Sequence, residues 1–353
     1  SQPIHGIKYA HPLDGHGFIN KYTISNRGIK HKGIRVKTHQ YNVEKKENKI
    51  IYKGLGTNTD TWQPCINNFN NVSVSYVNDK IYSHGEGGFA HEIDIESGKT
   101  LNIQHPSVIP EWLAKRMPFV PISAHPKIID GDVYNVSVFN MGFFLHKNGK
   151  VILFELFPNM KQHYFHDFAI TDRYFIFHLN SVNIDVPGLL YHDKTILESV
   201  SMEKNNRYLF IHRDTLKRTY IDLPDEYDFN ALHIAHVKEE GDTIIIHMCL
   251  MNDTFDISQV ESAYDFKGCY LHRITFHELN ITEVKRITNI HCEMPVVYDD
   301  YIFLVNAHNI LKYNMKTKKF TLKPMGNQII EEPVVHDGYL FTIGHIQNDT
   351  IIT

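Results

Sequence analysis

A chain of 353 residues, 42% hydrophobic and 22% charged, has the composition of a globular protein with a large core, and wholesale disorder is excluded. The formal net charge of −4 at pH 7 argues against a nucleic-acid surface, which carries a basic excess. The four cysteines, Cys65, Cys249, Cys269 and Cys292, form no C-x-x-C pair, so neither a disulfide framework nor a zinc knuckle is expected.

The chain opens on SQPIHGIKYA, which lacks the basic head and apolar stretch of a secretory leader. No apolar run approaches the ~20 residues that span a bilayer. A cytoplasmic protein is expected, and the N-x-S/T triplets at Asn71, Asn135, Asn252, Asn280 and Asn348 follow from an Asn-rich composition. Short strands alternate with turn signals, as at 72–77, 174–179, 208–212, 243–248, 301–305 and 339–343. No sustained helical period is found, and 111–117 is the best short helical candidate. An Asp or Asn followed closely by a strand-opening Tyr or Ile recurs along the chain. It occurs at Asp79-Lys80-Ile81, Asp132-Val133-Tyr134, Asp172-Arg173-Tyr174, Asn206-Arg207-Tyr208, Asp242-Thr243-Ile244, Asp300-Tyr301 and Asp337-Gly338-Tyr339. The mean spacing is about 43 residues, the length of a four-stranded propeller blade. Strand, tight polar turn and strand also repeat in HEIDIESGKT, LFIHRDTLKRT and LKYNMKTKKFT, as the outer hairpin of a blade requires. An all-β chain follows, one domain over 1–353. The propeller is weighed against any β protein with polar hairpins, and neither reading alone names a function.

There are 24 histidines, so any single one is first read as a surface or core residue. Three segments stand out: Ser123-Ala124-His125-Pro126-Lys127, His166-Asp167-Phe168-Ala169-Ile170-Thr171, and the run from His233 through His236 to Asp242. Their separations are too long for one local loop, but inner strands of a propeller converge on a common axis. Imidazoles meeting there would suit iron, zinc or copper.

These residues resemble the carotenoid cleavage oxygenases. The AHPK segment, HDFAIT followed by Asp172-Arg173-Tyr174, and the His233 segment are signatures of that family, in that order. So are Asp14-Gly15-His16-Gly17, Glu86-Gly87-Gly88, Glu293-Met294-Pro295 and Glu332-Pro333. The resemblance runs from about residue 12 to the end. It implies a seven-bladed β-propeller with Fe(II) held by four histidines and no carboxylate, and makes His125, His166 and His233 three of those ligands. Glu86, Glu293 and Glu332 match three glutamates that hydrogen-bond the far ring nitrogens of ligand histidines, fixing tautomer and orientation. His236 stands where the family has Asn and is expected to pack or hydrogen-bond nearby. The family's fourth ligand lies in a GFHG-like segment near the C-terminus. No such segment is present, neither His336 nor His345 has its surroundings, and the fourth ligand stays unassigned. Asn20 also replaces a common His. Both ends are therefore expected to be missing from the sequence, the other explanation being a decayed three-His or metal-free site.

The function implied is a dioxygenase that adds O2 across one C=C bond of a carotenoid, apocarotenoid or related stilbene. Its partners would be a hydrophobic polyene and O2, with peripheral membrane contact and no nucleic acid. Aromatics make up 12% of the chain, enough to line an apolar tunnel, and 184–190 is a candidate access loop. The alternatives are a retinoid-type isomerohydrolase, which needs an ester, and a metal-free propeller used for binding or scaffolding.

Overall fold

The recurring Asp marks the turn that opens a sheet. In the computed structural model, Asn78 and Asp79 have φ of 49° and 60° between strands Ser73–Val77 and Lys80–Gly85. Two consecutive left-handed residues make the hairpin turn whose twist matches its strands, and Asn, Asp and Gly adopt it at least cost. The same device stands at Asp130-Gly131 (φ 51° and 81°) and at Asp337-Gly338 (φ 48° and 77°). Single left-handed residues serve at Gly241 and Asp299. Asn206 differs: it precedes strand Arg207–His212, which lies inside a sheet already opened at Asp172. The spacing of opening turns is therefore uneven, and the 43-residue mean blended two kinds of position.

The structure describes residues 9–11, 13–59, 68–86, 88–105, 112, 122–139, 141–191, 194–252, 267–326, 328–346 and 349–352. Cys65, Gly87 and the helix expected at 111–117, Trp112 excepted, lie outside them. The chain forms two compact units, 1–163 with 182–201, and 164–181 with 202–353.

In the first unit, Ser73–Val77, Lys80–Gly85, Gly88–Asp94 and Lys99–Ile103 form one antiparallel sheet, and Lys127–Ile129, Asp132–Phe139, Gly142–Lys147 and Lys150–Leu156 form a second. Phe18–Ser25 and Gly28–Arg35 pair by themselves. The Asp14–Gly17 segment proves architectural. Asp14 is fully buried and accepts from Leu55 N at 2.6 Å and Gly56 N at 3.1 Å. Gly17 N donates to Phe69 O at 2.7 Å, and a Cβ on Gly17 would stand 2.1 Å from Asn70 O. His16 meets Glu44 at 2.7 Å, with both side chains out of water. Glu44 lies on helix His39–Glu47, which the sequence reading did not anticipate. Its buried residues are Gln40, Tyr41 and Glu44, so no apolar stripe announces it. The caps do: Thr38 accepts from Tyr41 N, and Asn48 closes the helix in the left-handed region. Segment 184–190, expected as an access loop, is largely the helix Val186–Tyr191, and Lys53 Nζ donates to Leu189 O at 3.3 Å and to Lys194 O at 3.2 Å.

The second unit holds three larger sheets. One includes Phe168–Ile170, Tyr174–Ile184, Arg207–His212 and Arg218–Asp222; the others are Asn230–Glu240 through Asn280–Arg286, and Glu293–Tyr298 through Phe320–Pro324. Three strands and then two form smaller sheets near the C-terminus. Their apolar faces pack as two clusters, one around Tyr208, Phe210, Ile246 and Phe276, the other around Leu271, Leu304, Leu311 and Tyr313. Among the described residues, five sheets have four or more strands, so seven full blades, as expected from the sequence, are not found.

Many histidines are core polar residues. Ser75 Oγ lies 2.7 Å from His84 Nε2, and Ser137 Oγ lies 2.8 Å from His146 Nε2, each pair nine residues apart in successive sheets. Burial lowers His84, His146, His178 and His272 to about 4 and His247 to about 3. These groups are neutral when folded but take protons below about 6.5 when unfolded, so stability falls as pH drops from 6.5 toward 4. The urea midpoint of metal-free protein is expected to be lower at pH 4.5 than at pH 6.5, and equal midpoints would contradict this. Gly17→Ala should cost about 1–3 kcal/mol, because backbone must yield to the new methyl, and an unchanged melting temperature would refute the close approach.

Candidate metal centre

His233 is aimed by a defect in its own strand. Asn230–Glu240 pairs with Thr243–Met251, and the register slips between Ala231 and Ile234 and again between Ile234 and His236. Such bulges take residues out of the ladder and redirect their side chains. Ile234 N–H donates to Asp167 Oδ2 at 3.0 Å, while Asp167 Oδ1 accepts from Phe168 N at 2.8 Å. Asp167 is buried and follows His166 directly. One carboxylate thus ties down the backbone beside both histidines. The rings of His166 and His233 meet edge to face, centroids 4.9 Å apart at 80°, and each offers a nitrogen within 4.8 Å of the other's. The Tyr164 hydroxyl lies 3.4 Å from His166 Nδ1.

Glu293 stands at another bulge, where Glu293–Tyr298 slips against Tyr301–Asn306 between Glu293 and Val296, with Met294 at φ 53°. His233 Nδ1–H donates to Glu293 Oε2 at 2.7 Å, and Met294 N–H donates to the same oxygen. The carboxylate is 1% exposed, and its Oε1 has no hydrogen-bond partner. Burial disfavours the charged His233 ring, but Glu293, with help from Asp167 and Glu332, outweighs it and carries the pKa to about 9. With its proton held at Nδ1, a neutral His233 presents its lone pair at Nε2, the arrangement of a metal-ligating histidine backed by a carboxylate. Glu332 keeps exposed surface while protein crowds its carboxyl group. That crowding raises its pKa; His233 opposes the rise, Glu293 adds to it and His166 opposes it.

The second unit therefore brings His166, His233, Glu293 and Glu332 into one electrostatic neighbourhood. His125 and Glu86 stand together in the first unit: Ala124 N donates to Glu86 Oε1 at 2.8 Å, and His125 N donates to Ser123 Oγ at 3.1 Å. Ser73 Oγ donates to Ala124 O, and Asn135 Nδ2 donates to Ser123 O at 3.0 Å, so the backbone leading into His125 is clamped. His236 packs against His247, centroids 5.9 Å apart. The His336 side chain is exposed beside Asp337. Sequence reasoning missed Asp167 and Tyr164; both flank His166, and proximity to it was the only signal. Imidazole donors oriented by an outer carboxylate fit a borderline divalent cation such as iron. A cavity of the second unit lined by Phe303, Lys312, Met325 and Leu340 includes none of these histidines. No helix among the described residues is long and apolar enough to cross a membrane.

Residues 2–334 match the model of the retinal pigment epithelial membrane protein family. The chain is 26% identical to apocarotenoid-15,15'-oxygenase of Synechocystis sp., over 89% of this chain and 71% of that protein. A point mutant of the Synechocystis apocarotenoid oxygenase superposes with a TM-score of 0.81 at 23% identity, covering 97% of this chain and 81% of that one. The cobalt-substituted form gives 0.79 with the same coverage and identity. The fold is thus an all-β propeller. With signatures, fold and family model in agreement, the chain belongs to the retinal pigment epithelial membrane protein family, the carotenoid cleavage oxygenases.

Proposed function

We propose that the protein is a non-haem Fe(II) dioxygenase that cleaves one C=C bond of an apocarotenoid, a carotenoid or a related stilbene. One O2 is consumed and each new carbonyl takes one oxygen atom. The observation that carries this reading is the hydrogen bond from His233 Nδ1 to buried Glu293 beside the His166 ring. Family membership and the name of the Synechocystis relative support the oxygenase chemistry. His166 and His233 would hold the metal, with His125 as a third ligand on the strength of its AHPK motif and a fourth not assigned. When bound, the iron would supply O2 activation.

The chain's own residues do the rest. Glu293 keeps the proton at His233 Nδ1 and so keeps Nε2 basic. Asp167 holds the backbone on which both rings ride. Glu86 anchors the peptide before His125, and Glu332 adds negative charge near His166 and His233. An all-imidazole donor set leaves the cation its full charge.

The test is to purify the protein anaerobically with Fe(II), measure iron per chain, and follow bleaching of an apocarotenal on adding O2. Stoichiometric iron with O2-dependent bleaching is expected; no iron and no bleaching would overturn the reading. His166→Ala and His233→Ala should lose both iron and bleaching, while Glu293→Gln should weaken iron retention or turnover by about 10–100-fold. Asp167→Ala should lower iron affinity about 10-fold with circular dichroism unchanged, as loss of positioning predicts. Wild-type iron affinity in that variant would show that Asp167 does not position the histidines.

A further inference from the structure

Beside Glu293 lies a group of cysteines that the oxygenase reading does not use. Strands Thr243–Met251 and Cys269–His277 pair with Cys249 opposite Leu271 and Met251 opposite Cys269. Cys249 and Cys269 are therefore diagonal neighbours on one face of the sheet. Cys292, the residue before Glu293, donates its backbone N–H to Cys269 O at 3.0 Å. The Cys249 thiol lies within hydrogen-bonding reach of both Cys269 and Cys292. All three cysteines are free and fully buried, among Met251, Leu271, Leu304 and Val305.

The sulfur atoms of Cys249 and Cys269 and a carboxylate oxygen of Glu293 all lie within 4.8 Å of one another. The carboxylate's Oε2 is taken up by His233 and Met294, while Oε1, in a residue 1% exposed, has no hydrogen-bond partner. An unsatisfied carboxylate oxygen in an apolar interior is costly, and thiols are weak donors that relieve little of the cost. A cation bonded to Oε1 would relieve it.

We propose that Cys249, Cys269 and Glu293, with Cys292 in reach as a fourth donor, form a second metal site for a thiophilic divalent cation, zinc foremost. Mixed sulfur and oxygen donors suit zinc, and thiolates exclude the hard cations. Tetrahedral zinc–sulfur bonds of about 2.3 Å place donors about 3.8 Å apart, so the present spacing closes by about 1 Å or less. Each thiol that binds gives its proton to solvent as the metal–sulfur bond forms, and nothing is oxidised or reduced. Glu293 would then bridge, Oε1 on this cation and Oε2 on His233 Nδ1–H, so that one carboxylate serves both centres. The site stands on the cysteines and does not depend on the iron reading.

The experiment uses the full chain, purified anaerobically with zinc, then freed of metal and titrated with Co(II). About one sulfur-bound zinc per chain is expected beside any zinc held by the histidines, with sulfur neighbours at about 2.3 Å in the X-ray absorption spectrum. Cobalt is expected to give the near-ultraviolet absorption of sulfur-to-cobalt charge transfer. His166→Ala should keep the zinc and these bands; Cys249→Ser with Cys269→Ser should lose both. The wild-type measurements need no variant, so a double variant that fails to fold leaves the test intact. Zinc-free protein without charge-transfer bands, or zinc bound only by nitrogen and oxygen, would overturn the proposal. Wild-type protein that gives the sulfur bands but binds no iron would count against the oxygenase reading alone.

Discussion

Much of the second unit is arranged around one hydrogen bond, from His233 Nδ1 to Glu293 Oε2, made between two bulged strands. A regular strand alternates its side chains between faces, so a ring that must leave that alternation needs the ladder broken beneath it. The broken ladder frees backbone donors, and buried donors must be satisfied. Asp167 takes the one from Ile234, and Glu293 itself takes the one from Met294. The two carboxylates that place His233 thus also repair the local damage of placing it. This is why both are buried, while among the described residues most other carboxylates keep exposed surface.

The rest of the fold supplies the rigidity on which that bond relies. The strand that carries His233 continues into a ladder with Thr243–Met251 and Cys269–His277, whose apolar side chains fill both core clusters of the unit. Close-packed cores do not deform smoothly, so a ring fixed at their edge keeps its orientation. In the first unit the backbone around His125 is held in a comparable way. Glu86 and Ser73 bond the N–H and C=O of Ala124, and Asn135 bonds the C=O of Ser123.

Much of this was legible in the sequence, for identifiable reasons. The opening hairpins could be read because a left-handed turn restricts its residues to Asn, Asp and Gly, as at Asn78, Asp79, Asp130 and Asp337. His166, His233, Glu293 and Glu332, which share one neighbourhood in the second unit, were singled out by their motifs, although composition alone placed 24 histidines in competition. Helix His39–Glu47 escaped because its buried face is polar and pairs with His16. The bulge at Ala231–Ile234 escaped because no glycine marks it. The 43-residue repeat was over-regular because Asn206-Arg207-Tyr208 imitates an opening turn while starting a strand inside a sheet. The cysteines looked scattered in sequence, and only the register of two strands sets Cys249 beside Cys269.

In the proposed centre, histidines hold the iron while Glu293 and Asp167 stay outside its coordination shell, orienting rather than ligating. Iron K-edge X-ray absorption on anaerobically loaded protein tests it most directly. The expected spectrum shows nitrogen neighbours from imidazole, identified by the rings' multiple-scattering pattern, with no sulfur and no protein carboxylate. A bound glutamate or aspartate, or a sulfur neighbour to iron, would contradict it.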